Sequence, residues 1–422
     1  MSWHPHLWHP TTQVATSPVP LQVRRARGCE LELADGRRLI DAISSWWVTL
    51  HGHAEPSIAA SIARQAQQLE QVIFANFSHQ PAEQLATRLS ALTGLQRLFF
   101  SDNGSTAIEV ALKIAWQWWT NQGQSRQQLI AFDGAYHGDT FGAMAVGERS
   151  LFTAPYEPLL FEVCRIAWPH TSWGDATVEA REQQALSQLE QALRTPTAAV
   201  ILEPLLQGAS GMRLVRPAYV RAVAERVQAS GALLIADEVM TGFGRTGALF
   251  ACQKAGVQPD LMALSKGLTG GFLPMGVTMA SERLYQGFIG NKAELTFFHG
   301  HSFTANPLGC AAALASLDLL QNQPERYQQF EPRHSPLLEV LAQHPRVVRP
   351  RCLGTIAAFD VKAGDDGYLN PVGKQLQRLC LEMGVYLRPL GNTVYLLPPL
   401  CISDEQLQRC YDALNRALDQ LA

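Results

Sequence analysis

Lys266 lies in the stretch Pro259-Asp-Leu-Met-Ala-Leu-Ser-Lys-Gly-Leu-Thr-Gly-Gly271, 29 residues after Asp237, which closes the apolar run Ala232-Leu-Leu-Ile-Ala-Asp237. An amine able to form a Schiff base and a carboxylate able to hold a pyridinium proton are the two side chains that pyridoxal phosphate asks of a protein. A lysine on a Gly-rich turn is equally at home on an ordinary surface. The neighbouring motifs therefore carry the decision.

The segment Ser101-Asp-Asn-Gly-Ser-Thr-Ala-Ile-Glu109 follows the apolar Leu98-Phe-Phe100 and leads into a helical face of Ile108, Leu112, Ala115, Trp116 and Trp119. A small-residue turn opening a helix leaves backbone N–H groups free at the positive end of the dipole, which suits a phosphate. A plain N-cap by Ser or Asp is the competing reading. In Asp133-Gly-Ala-Tyr-His-Gly-Asp-Thr-Phe141, Tyr136 or His137 could stack on a flat heteroaromatic ring, or the tyrosine could simply pack.

Asp237 stands at a strand end, where side chains of an α/β sheet point into the ligand crevice. Its charge would raise the pKa of a pyridine nitrogen and keep the ring an electron sink. Ile201-Leu-Glu-Pro204 ends a similar run. Phe297-Phe-His-Gly-His-Ser-Phe-Thr-Ala-Asn-Pro-Leu-Gly-Cys310 is a polar loop before a small-residue helix, where Ser302 could add a phosphate contact or merely cap.

These motifs need a scaffold, and the chain is long enough to build one. Its 422 residues suggest two or three domains, and 47% hydrophobic with 17% charged residues is a globular composition. A formal charge of −3 supplies no basic footprint for nucleic acid or a membrane surface, which leaves a small-molecule partner. Eight scattered cysteines without Cys-x-x-Cys fit a reduced cytoplasm, and no apolar run approaches a membrane span. The first ten residues lack the basic-then-apolar pattern of a signal peptide. His4, His6 and His9 are interrupted by Pro5 and Pro10 and have no acidic or thiol companion, so no metal site is expected. That segment is expected to be an irregular strand packed on the body.

Cys29-Glu-Leu-Glu-Leu33 and Arg38-Leu-Ile-Asp41 read as two strands about the turn Ala34-Asp-Gly-Arg37. Beyond residue 56, helices alternate with the apolar runs 98–100, 128–132, 198–202, 232–236 and 276–279. The pattern predicts an α/β core with a mainly parallel sheet between helices. After a polar, proline-containing crossing at 321–336, strands at 355–360 and 393–397 alternate with helices at 371–383 and 403–420, a smaller α+β unit. The expected division is 1–48 and 323–422 for the small domain and 49–322 for the large one.

Taken together, Asn103-Gly-Ser105, Tyr136-His-Gly138, Asp237-Glu-Val, Gly242-Phe-Gly-Arg-Thr-Gly247, Ser265-Lys-Gly267 and Asn306-Pro-Leu resemble the class III, or ω-type, pyridoxal-phosphate aminotransferases of fold type I, in order and over nearly the whole chain. Within that class, Leu7-Trp-His-Pro10, Ser44-Ser-Trp-Trp47, His51-Gly-His53, Tyr136-His-Gly-Asp-Thr-Phe-Gly-Ala-Met144, Leu206-Gln-Gly-Ala-Ser-Gly-Met212 and Leu387-Arg-Pro389 are most similar to the diaminononanoate synthases of biotin biosynthesis. The resemblance implies that Lys266 carries the cofactor, Asp237 holds the pyridinium, Tyr136 stacks on the ring, and Gly104 with Ser105 binds phosphate. It further implies that His301 and Ser302 contact the cofactor, Ser302 reaching the phosphate of a neighbouring subunit in a homodimer with shared active sites. Trp46, Tyr136 and Gly300 would line the substrate site.

The substrate so implied, 8-amino-7-oxononanoate, has an apolar chain and a far carboxylate, for which Arg388 offers a bidentate fork. S-adenosylmethionine is the implied amino donor, while the pattern His299-Gly-His-Ser302 is also similar to members that use lysine. Two positions depart from the family pattern. His301-Ser302 replaces Pro-Thr and keeps the hydroxyl, whereas Thr11 replaces the aromatic of the His-Pro-aromatic-Thr motif. A transaminase for ω-amino acids, ornithine or diamines is the alternative activity, disfavoured by the Trp46-Trp47 pair and Arg388. A noncatalytic cofactor-binding relative is disfavoured by the presence of both Lys266 and Asp237.

Overall fold

Strands buried on both faces read as mainly apolar runs, and five of these form the interior of a seven-stranded sheet in the computed structural model, which describes residues 3–364 and 367–421. The spatial order of all seven is Arg97–Ser101, Gly276–Ala280, Leu261–Leu264, Leu233–Asp237, Thr197–Leu202, Gln128–Phe132 and Cys164–Ile166. Leu233–Asp237 pairs in parallel with both of its neighbours, and Gln128–Phe132 does the same. The sheet is thus mainly parallel, as expected, except for Gly276–Ala280, which runs antiparallel to the strands on either side.

Helix Gly104–Asn121 covers one face, packing Ile108, Ala111 and Ala115 against Leu129, Ile201, Ile235 and Ala263. Helices Val178–Ala192 and Pro217–Ser230 cover the other, with Leu186, Leu189, Val220 and Val223 against Ile130, Val200 and Leu234. Side chains alternate across a strand, so adjacent residues feed opposite cores. Burying a Val, Leu or Ile side chain contributes about 1.5–3 kcal/mol each. The sheet is therefore a rigid platform, and the loops beyond its strand ends are held in place by it.

Both chain ends meet in a four-stranded sheet of Val23–Arg27, Glu30–Leu33, Arg38–Asp41 and Val385–Tyr386, the last two parallel. Val347–Leu353, Ile356–Val361 and Thr393–Leu396 form a separate antiparallel sheet. Helices Val372–Glu382 and Asp404–Asp419 lie where the sequence pattern places them.

One expectation is corrected at the N-terminus. Residues 3–22 contain no strand, and Trp8 is 94% exposed rather than packed on the body. Prolines 5, 10, 18 and 20 have no N–H to donate to a ladder, so the segment runs as turns. Among the described residues no cluster of His, Cys, Asp or Glu could hold a metal ion.

Candidate active site

Asp237 ends the central strand with both carboxylate oxygens engaged. Oδ1 accepts the Val239 amide at 3.0 Å, and Oδ2 lies 2.6 Å from His137 Nδ1. An ionised carboxylate only accepts, so His137 Nδ1 carries the proton of that bond. The chain immediately beyond Leu261–Leu264 presents Lys266 at φ +47°. Ser44, Ser45 and Trp47 also take positive φ, at +54°, +60° and +68°. Left-handed backbone in non-glycine residues costs energy and persists where the surroundings over-determine it. The Lys266 amine lies 4.9 Å from the centre of the Trp47 ring, whose Nε1 donates to Tyr395 Oη at 2.9 Å. Burial lowers the lysine pKa, against the opposing pull of the Asp237 and Glu203 carboxylates.

Glu203, in the run end Ile201-Leu-Glu-Pro204, has no role that the motif alone assigns and acquires one in the fold. It is buried beyond the end of Thr197–Leu202 and accepts the Tyr136 amide at 3.1 Å and the Gly208 amide at 3.0 Å. Burial pushes its carboxyl up to about 7. A folded-state pKa raised above the unfolded one gives stability that is present at low pH and lost as pH rises through the folded value. The melting temperature of the cofactor-free protein, taken relative to Glu203→Gln, is therefore expected to fall between about pH 5 and about pH 8. A gap independent of pH would show that Glu203 ionises normally. Its only trace in the sequence is a carboxylate closing an apolar run.

The helix start is built for an anion. Asn103, rather than Ser101 or Asp102, is the N-cap: its Oδ1 accepts the Thr106 amide at 3.0 Å, and Thr106 Oγ1 accepts the Asn103 amide at 3.0 Å. This capping box leaves the Gly104 and Ser105 amides without an acceptor among the described residues. A β-carbon on Gly104 would stand 2.7 Å from Val239 Cγ1, so only glycine lets the helix start approach the loop after Asp237. The loop 133–139 closes over the same point, where the Asp139 amide donates to Ser105 Oγ at 3.2 Å.

Asn103, Gly104, Ser105, Tyr136, Asp237 and Lys266 open onto one cleft of about 1440 Å³. Burial, and after it the nearby Asp139, raises the Tyr136 phenol above its ordinary value, so the ring enters the cleft uncharged. Trp46, Thr11 and Arg388 line the same cleft. The Arg388 guanidinium lies 4.3 Å over the Trp46 ring and donates through Nη2 to Thr11 Oγ1 at 2.9 Å. The threonine that departs from the family pattern thus orients the arginine expected to read a carboxylate. Arg349 and Arg351, also in the cleft, are bonded to Asp360 at 2.6 Å and 2.9 Å.

Gly300, His301 and Ser302 are not among the residues lining the cleft of their own chain. His301 Nδ1 is 3.4 Å from Asp102 Oδ1, with Nε2 buried and unpartnered. Ser302 is exposed, and its carbonyl accepts Gln71 Nε2 at 2.9 Å.

The class-III aminotransferase family model matches residues 11–418. The chain belongs to that family. It is 58% identical, over all of both chains, to the adenosylmethionine-8-amino-7-oxononanoate aminotransferase of Synechococcus elongatus. A solved structure of the enzyme of that name from Methanocaldococcus jannaschii is 32% identical and superposes with a TM-score of 0.92, covering 98% of this chain and 97% of that one. An amine transaminase from an uncultivated Pseudomonas species, solved in its pyridoxal-phosphate-bound internal aldimine form, is 29% identical over 100% of both chains with a TM-score of 0.93.

This class-III aminotransferase is accordingly a pyridoxal-phosphate-dependent transaminase of fold type I acting on small molecules. The cleft fits the cofactor by its donor set. One wall has two helix-start amides without acceptors among the described residues, another a carboxylate at a strand end, and between them opens a lysine whose pKa burial lowers.

Proposed function

We propose that this aminotransferase moves an amino group from S-adenosylmethionine to 8-amino-7-oxononanoate, giving 7,8-diaminononanoate for biotin biosynthesis. The observation that carries the acceptor is the Arg388 fork held over Trp46 by Thr11. It joins a flat apolar wall to a carboxylate reader, matching an apolar chain with a carboxylate end. The names of the relatives from Synechococcus elongatus and Methanocaldococcus jannaschii support both substrates.

In this proposal the Gly104 and Ser105 amides would hold the cofactor phosphate, Tyr136 would stack on its ring, and Asp237 would offer fixed negative charge to the ring nitrogen. Pyridoxal phosphate, when bound, supplies an electron sink that acidifies the carbon bearing the amino group. Lys266 holds the cofactor through its amine, and the released amine takes and returns the proton at Nζ. Its lowered pKa raises the uncharged fraction available for both tasks. His137 holds the Asp237 carboxylate in orientation. Arg388 and Trp46 align the acceptor, and the same lysine serves both half-reactions.

On the same footing we propose a cytoplasmic homodimer. Phe298 and Phe303, 74% and 62% exposed, flank Ser302 with apolar surface suited to a second subunit, whose phosphate Ser302 would reach. Eight free cysteines suit a reducing compartment, and no helix among the described residues is long and apolar enough to cross a membrane. We assign 1–48 and 323–422 to the small domain and 49–322 to the large one.

The test is a matrix of donors and acceptors. Turnover with S-adenosylmethionine and 8-amino-7-oxononanoate, exceeding that with 2-oxoglutarate as acceptor or lysine as donor, is the expected result. Preference for 2-oxoglutarate would defeat the acceptor assignment, and preference for lysine the donor assignment. Arg388→Ala should raise the acceptor KM by roughly 10- to 150-fold, since a charge-assisted contact contributes about 1.5–3 kcal/mol, with cofactor binding spared. Steady-state kinetics against each substrate separately would check this, and an unchanged acceptor KM would place the carboxylate elsewhere.

A further inference from the structure

Two cysteines separated by 372 residues bring their sulfurs within 3.5 Å of each other, Cys29 at the turn between the first two strands and Cys401 just after Leu400. We propose that Cys29 and Cys401 are a dithiol that closes reversibly to a disulfide by exchange with a low-molecular-weight disulfide, clamping the segment that carries Trp46 and Trp47.

The backbone holds the pair in register. The Leu400 amide donates to Leu50 O at 2.8 Å, while Gly28 and His53 exchange two backbone bonds of 3.0 Å and 2.7 Å. Both sulfurs therefore converge beside Gly52. A β-carbon there would stand 2.6 Å from Cys401 Sγ and 3.0 Å from Gly28 Cα, so the glycine at φ +101° leaves room for the sulfur. A disulfide of about 2.05 Å needs the sulfurs to close by roughly 1.5 Å, a small side-chain adjustment.

The two thiols are not equivalent. Cys29 is buried, whereas Cys401 is partly accessible. The Cys29 hydrogen bond, and then Arg326, lower the Cys401 pKa, while the same bond and burial raise that of Cys29. Cys401 is thus the attacking thiolate and Cys29 the resolving thiol. Cys401 Sγ attacks one sulfur of R–S–S–R, forming a mixed disulfide and releasing one R–S⁻, which takes up a proton. Cys29, giving up its proton, then attacks Cys401 Sγ and expels the second R–S⁻. Two protein thiols are oxidised, and the small disulfide is reduced to two thiols.

The bond would tie the root of the N-terminal hairpin to the segment after Leu397. Between these lies the turn 41–53. The Cys29 carbonyl accepts the Asp41 amide at 2.8 Å, Asp41 Oδ2 accepts the Ser45 amide at 2.7 Å, and Ser44 Oγ donates to Leu397 O at 2.8 Å. Oxidation should therefore make the enzyme harder to unfold, since a cross-link spanning a long loop constrains the unfolded chain most.

The experiment treats the native holoenzyme with oxidised glutathione, quenches with acid, then denatures it and labels free thiols with a maleimide. The expected result is two labels fewer than the eight cysteines. It also includes a peptide joining Cys29 to Cys401, a melting temperature raised by several degrees, and full reversal by dithiothreitol. Cys29→Ser should stop at a glutathione adduct on Cys401, and Cys401→Ser should give neither product. Eight labels on the treated wild type, or a cross-link through other cysteines, would overturn the proposal, and neither outcome depends on the variants folding.

Discussion

Lys266→Ala is expected to lower kcat by about 10⁴-fold or more, because one substitution removes both the amine proposed to hold the cofactor and the base proposed to move the proton. The effect should be chemical, with little contribution from folding. Among the described residues the lysine amine makes no hydrogen bond, and its nearest described aromatic partner is the Trp47 ring at 4.9 Å. Its φ of +47° is as strained for alanine as for lysine, so the backbone cost cancels in the comparison. The proposed phosphate cradle at Gly104 and Ser105 and the Asp237 carboxylate stay in place, which should leave noncovalent cofactor retention measurable. Absorbance of the bound cofactor and single-turnover rates with S-adenosylmethionine would report the two losses separately. Turnover within tenfold of the wild type would remove Lys266 from the centre of the reaction.

Much of the fold is legible in the sequence. Apolar runs of three to five residues mark five of the seven strands, and the carboxylate closing one of them, Asp237 beyond Ala236, points to the cleft. Strand direction was not readable. Gly276–Ala280 is as buried as Leu261–Leu264 and Leu233–Asp237, which run parallel to each other, and burial carries no sign of orientation. Leu261–Leu264, one residue short of Lys266, adjoins a Gly-rich turn, and four apolar residues there fit a strand or a loop equally well. The pairings that finish the site were hidden for a different reason. His137 meets Asp237 across 100 residues and Thr11 meets Arg388 across 377, and no local period encodes such contacts. Thr11 stands where the family pattern has an aromatic, and in place its short hydroxyl reaches the arginine. Glu203 was visible as a carboxylate at a run's end but acquired meaning only when the Tyr136 and Gly208 amides were seen to converge on it.

Asp237→Asn should cost roughly 10²- to 10³-fold in kcat, the range seen when a fixed electrostatic partner of a reacting centre is removed. The amide keeps the shape of the carboxylate but has one accepting oxygen, while two donors, the Val239 amide and His137 Nδ1, now converge on that end. One of them must face the new NH₂, so the loss combines missing charge with a disturbed pair. The charge also acts on Lys266. Burial lowers the lysine pKa, and the Asp237 carboxylate opposes that shift by favouring the ammonium. Removing the carboxylate therefore lowers the lysine pKa further. In cofactor-stripped protein the pH midpoint for reaction of Lys266 with an added aldehyde should move to lower pH, even as catalysis in the reconstituted enzyme falls. The two readouts shift in opposite senses, a more reactive amine in a slower enzyme, which general unfolding cannot produce. A midpoint moved to higher pH, or kcat kept within tenfold, would mean that the negative charge at Asp237 is not what the cleft uses.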